Sequence, residues 1–163
     1  MRRWIATVLI SLLLVLVQTT LVHFVAIGSI TPDILMIWIV MLAIREGQIP
    51  ATVAGFFIGI VVDLLSGPDG MLGLSALSKT VAGFVAGYFY NENKTFQTLG
   101  SYQFVLILAG VTLVHNLMYF VIFLQGSGIR WWGAVLDYGI PAMIYTAAVG
   151  VLPMCVVARK YLT

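Results

Sequence analysis

Six apolar segments, parted by short polar punctuation, take up nearly the whole chain, and such a pattern cannot build a water-facing surface. They run from Trp4 to about Ile27, from about Ile30 to Ile44, from Pro50 to Ser66, from Met71 to Tyr90, from about Tyr102 to Leu124, and from Trp132 to Val157. One helical crossing takes about 20 apolar residues, so five to seven crossings exhaust 163 residues. Charged residues make up 9% of the chain, against about a quarter in a soluble domain. The expected fold class is therefore all-α: a single integral domain over residues 1–163, a polytopic bundle of six transmembrane segments. A separate soluble catalytic domain is not expected. Arg2-Arg3 before an apolar run could open a signal peptide. The run is longer than a signal core and lacks a small-residue cleavage site, so a permanent first span is the reading.

Local signals set the segment ends. Thr31-Pro32-Asp33 reads as a helix start, with Thr as cap, Pro in the first turn and a carboxylate at the positive end of the dipole. Arg45-Glu46-Gly47 closes that segment, and Pro50 opens the next. Ser66-Gly67-Pro68-Asp69-Gly70 is a tight turn. Pro141 and Pro153 predict a kink in the last segment. The second segment is short: thirteen residues from Pro32 give roughly 20 Å of helix against a hydrocarbon core of about 30 Å. Short segments near Gly and Pro mark either a binding cavity or a compact bundle that thins the bilayer.

Orientation follows from the basic residues. With the N-terminus inside, one face collects Arg2, Arg3, Arg45, Lys94, Arg159 and Lys160, and the other only Arg130. That bias places both termini in the cytoplasm. Trp131 and Trp132 then suit the outer aromatic belt, and Trp4, Tyr90 and Tyr161 the inner one.

Asp63 and Lys79 are the two charges inside predicted spans, and each costs about 2.5–3.5 kcal/mol at a helix centre. They lie on opposite arms of a hairpin, roughly 5 Å and 13 Å below its turn. The Lys stem can reach upward, so an Asp63–Lys79 ion pair is expected, as a structural clip or as a switch. Gly55 and Gly59, and again Gly83 and Gly87, form GxxxG rows that let helix backbones approach in lipid. They serve packing inside the bundle or docking of a partner's span. His23, Gln18 and Thr19 in segment one, with His115 and Asn116 in segment five, read as interhelical hydrogen-bonding groups. His115 and Asp137 are possible polar groups of a cavity. Two distant histidines and a single cysteine, Cys155, give no metal site. No phosphate loop, HExxH motif or Ser/His/Asp arrangement occurs. No catalytic residue, metal or cofactor is expected, and a net charge of +2 without a basic run gives no reason to expect nucleic acid.

The order Thr31-Pro32-Asp33-Ile34-Leu35, Arg45-Glu46-Gly47, Gly55-Phe56, Gly59, Asp63-Leu64, Ser66-Gly67, Gly70, Gly73-Leu74, Leu77 and Lys79 resembles the rod shape-determining MreD family. There, a helix opening with Pro and a polar residue precedes a GFxxGxxxDLxSG segment. The pattern residues carried over are Pro32, Gly55, Gly59, Asp63, Gly67 and Gly70. With the six-segment layout the resemblance spans essentially the whole chain, its distinctive part lying between Thr31 and Gly87. It implies a non-enzymatic protein of the bacterial inner membrane, working in the cell-elongation machinery beside MreC, a single-span protein with a periplasmic coiled coil. Through MreC it would connect to the RodA glycosyltransferase, its transpeptidase partner and the MreB filament. That family is also similar in fold to the substrate-binding S-components of energy-coupling-factor transporters. The second expectation is therefore a membrane subunit that binds a small molecule such as a vitamin, with Asp63, Lys79, Asp137 and His115 supplying polar groups.

Overall fold

The computed structural model describes residues 2–20, 22–28, 30–66, 71–125, 128 and 130–161. Gly67, Gly70 and the side chain of His23 lie outside the described residues. Within the described residues eight α-helices follow in order: α1 (Arg2–Thr20), α2 (Ile34–Glu46), α3 (Gln48–Leu65), α4 (Leu74–Gly87), α5 (Thr95–Leu99), α6 (Tyr102–Phe123), α7 (Trp131–Ala134) and α8 (Ile140–Tyr161). Among the described residues there is no strand, only an isolated bridge from Ile27 to Ile30. Among the described residues, three helical stretches are long and apolar enough to cross a membrane: Gln48–Leu65, Tyr102–Phe123 and the rod Trp131–Tyr161. Their outward faces, and that of α1, carry apolar side chains such as Leu9, Leu13, Leu106, Leu152 and Val156. This is the exterior of a membrane protein.

Helices occupy the six expected segments, with shifted bounds. The first helix stops at Thr20, well short of Ile27. Thr19 and Thr20 turn their hydroxyls back onto the Val15 and Leu16 carbonyls, a competition that weakens a helix end. The chain then takes a short 3₁₀ turn (Val22–Val25) and reverses at Gly28, whose φ of 64° is left-handed. The cap of α2 is Asp33 rather than Thr31, with Pro32 just ahead of it. At the other end of α2 a single residue, Gly47, joins α2 to α3 with φ 95° and ψ −174°, a conformation essentially restricted to glycine. In the last rod, a π-turn (Val135–Gly139) links α7 to α8, and the Ile140 N–H reaches back to the Val135 carbonyl. Pro141 follows at once. It has no N–H for the fourth carbonyl behind it, which gives the local widening its cause.

The architecture is a bundle wrapped around α2. Met36, Ile39, Val40, Ala43 and Ile44 are fully buried, and α2 touches α1, α3, α4, α6 and α8. The most extensive helix pair is α3 with α4. A Cβ built on Gly83 would stand 2.5 Å from the Ala51 carbonyl oxygen, and one on Gly59 would stand 2.6 Å from the Ala76 nitrogen. Gly55 meets the Lys79 backbone in the same way, and Gly87 meets Gln48. Both GxxxG rows are thus spent on each other's helices, where bare backbones gain dispersion contact that lipid cannot supply. No open docking groove remains at these glycines.

Candidate functional site

The head of α2 is the most polar place in the interior. A helix start leaves several N–H groups without intrahelical partners, and in lipid each must be satisfied by protein. Four helices supply what is needed. Asp33 Oδ1 accepts from the Met36 N–H at 3.0 Å, closing the first turn from within. Gln18 of α1 accepts from the Ile34 N–H at 2.9 Å and donates to the Pro32 carbonyl at 3.1 Å. The Asp33 N–H donates to Thr146 Oγ1 of α8 at 3.0 Å. Lys79 of α4 brings its ammonium to 2.6 Å from Asp33 Oδ2, and His115 Nε2 of α6 stands 3.9 Å from the same oxygen.

This arrangement corrects the expected Asp63–Lys79 pair. Lys79 is buried, and its partner is Asp33. Asp63 is also buried, but its oxygens accept the backbone N–H groups of Gly73, Ser75 and Ala76 at 2.9, 3.0 and 3.1 Å. Those are the cap and the first turn of α4. A carboxylate from the preceding helix therefore caps α4 from outside its own sequence, where both the orphan donors and the positive dipole end favour it. With three donors satisfied there, Asp63 is committed to the backbone.

The expected cavity groups separate as well. His115 belongs to the cluster at the head of α2, whereas Asp137 is exposed on the π-turn and far from being a lining group. On α6, Thr112 Oγ1 and His115 Nδ1 are buried without a hydrogen-bond partner among the described residues. Asn116, one residue on, donates to the Gly139 carbonyl at 2.8 Å and ties α6 to the π-turn. Gln18, an expected interhelical donor, acts as one.

Asp33 and Thr146 are the members that no sequence signal places here. The helix-start pattern marks Asp33 as a dipole-end carboxylate, whereas one of its oxygens caps and the other binds Lys79. Chemically the cluster is a clamp. It holds an acid, an ammonium and an imidazole, but each of the two charges is engaged with the other, and the carboxylate's second oxygen serves the helix. Among the described residues no group of three or more His, Cys, Asp or Glu could hold a metal ion. No family model, curated protein or solved structure matches this chain.

Proposed function

We propose that this chain is a non-enzymatic membrane scaffold of the bacterial cell-elongation machinery, acting as MreD proteins do. The observation that carries the reading is where the MreD-like pattern falls. Its residues between Thr31 and Lys79 coincide with the interlocked part of the bundle: Asp33 with Lys79, Asp63 with the head of α4, and Gly55 and Gly59 against α4. The pattern is spent on rigidity, and the buried charges hold helices rather than face an open site. Rigid geometry beneath an apolar exterior suits a protein that grips a neighbour's span. On this reading all six segments cross the inner membrane, both termini are cytoplasmic, and an MreC-type single-span coiled-coil protein is the partner. Through MreC the bundle would bias RodA and its transpeptidase.

The vitamin-binding alternative gains no support from the polar groups it needs, since Asp63 is held by backbone N–H groups, Lys79 by Asp33, and Asp137 is exposed. Co-expression with the MreC-type protein of the same genome and purification in mild detergent tests the proposal. Co-elution of the two, together with rounding of rod cells on depletion, is the expected result. Stoichiometric retention of a vitamin, no complex with MreC, and unchanged cell shape would overturn it.

A further inference from the structure

At the end of the bundle where α2 stops and α4 gives way to α5, a pocket of about 540 Å³ opens beside α1. Its walls combine charge from Arg45, Glu46 and Glu92 with aromatic surface from Trp38, Tyr90 and Phe96. A second space of about 820 Å³ is walled mainly by apolar side chains of α1 and α3, including Leu12, Val53, Phe57 and Val61. Thr7 and Leu42 line both, so the charged pocket and the apolar groove abut beneath the first half of α1. That half of α1 is thinly held: no side chain from Trp4 to Leu14 is buried, and the first buried one is Val15.

The chemistry of the two spaces narrows the occupant. Arg45 is exposed and forms no ion pair among the described residues. Its forked guanidinium suits a phosphate. Two carboxylates stand in the same wall, next to the C-terminal carbonyls of α2, which carry partial negative charge. Aromatic rings add further attraction for a cation. An anionic headgroup would gain Arg45 and meet Glu46 and Glu92 unfavourably. A zwitterion with both phosphate and ammonium meets all three. The adjoining groove offers apolar surface to a hydrocarbon tail, and helix ends lie at the depth of lipid headgroups.

We propose that this corner binds one zwitterionic amino-phospholipid, with its phosphate on Arg45, its ammonium toward Glu92 and Glu46, and one acyl chain in the groove beneath α1. The site is independent of the scaffold reading and stands or falls on lipid binding alone.

Native mass spectrometry of the full chain, delipidated in mild detergent and titrated with defined lipids, is the test. Phosphatidylethanolamine should bind as a single retained molecule, roughly tenfold tighter than phosphatidylglycerol with the same acyl chains. Arg45→Gln and Glu92→Gln should each weaken it roughly three- to tenfold, and Glu92→Gln should also narrow the preference over phosphatidylglycerol. Val53→Trp, filling the groove from an exposed position, should weaken binding of the lipid while leaving helical circular dichroism and elution unchanged. Both charged positions are exposed, and Arg45→Lys and Glu92→Asp provide milder variants that should bind better than the Gln forms. Equal retention of the two lipids, or indifference to Arg45→Gln and Glu92→Gln in folded protein, overturns the proposal. So does competition by free phosphoethanolamine at the concentrations where the lipid competes, because the tail would then contribute nothing.

Discussion

Two helices of the same greasy composition, α1 and α2, live in opposite surroundings. In α2 the side chains of Met36, Ile39 and Ile44 are completely covered, whereas in α1 Leu9 and Leu13 are about 60% exposed (61% and 60%). Apolarity is common to both and does not decide which is covered, since lipid tails are as apolar as leucine. What separates them is the density of specific fasteners. The head of α2 is fixed by Asp33, Lys79, Gln18 and Thr146. Away from that corner the Trp38 indole donates to Ser11 of α1 at 2.9 Å. Position in a membrane bundle follows polar ties and small-residue contacts more than hydrophobicity.

The contrast can be broken most forcefully at Lys79. Lys79→Met leaves the Asp33 charge alone in the interior and should cost about 3–5 kcal/mol, read as a loss of thermal stability in detergent. Adding Asp33→Asn should recover a large part of that loss. Simple additivity of the two would remove the pair from the account. Lys79→Met combined with Asp63→Asn, by contrast, should be additive within about 0.5 kcal/mol. Next in size comes Gly83→Val, which drives a side chain into the Ala51 carbonyl and should destabilise by about 2–3 kcal/mol. A Gly83→Val protein as stable as the parent would mean that α3 and α4 are not in backbone contact. Gln18→Ala strips one acceptor and one donor from the start of α2 and should cost about 1–2 kcal/mol. Smallest of all, Leu13→Ala on the exposed face of α1 should change stability by less than about 0.5 kcal/mol. A larger loss there would show that α1 is packed against something other than lipid.

Much of the layout could be read from residues alone, because long apolar runs and Gly or Pro breaks leave a one-dimensional trace. The facing of Gly55 and Gly59 onto α4 was also open to reading, since GxxxG states a requirement for closeness whatever the partner. The buried charges were not legible in the same way. Counting from the turn placed Lys79 deep below it, but α4 begins only at Leu74, so Lys79 sits in its second turn. Asp63 lies nearer in sequence than Asp33, yet the first turn of α4 claims its oxygens. Asp33 lies 46 residues from Lys79, and only the packing of α2 against α4 brings the two together. Sequence separation carries no record of helix depth. The charged corner beside Arg45 was hidden for a related reason: its residues come from α1, α2, α5 and the stretch after α4, and each looks ordinary in its own segment.

The tied head of α2 also bears on how the chain is made. Asp33 leaves the ribosome long before Lys79, and Thr146, 113 residues on, arrives later still. Until then Gln18 and Asp33 itself already serve the Ile34 and Met36 N–H groups, but the second Asp33 oxygen and the Asp33 N–H have no counterparts in the nascent chain, so the head of α2 cannot be completed before α4 and α8 are made. With Cys155 replaced by Ser, a cysteine introduced at the buried position Leu35 should accordingly be open to a water-soluble thiol reagent in a nascent chain halted after Leu65, and closed to it once α4 and α8 are present.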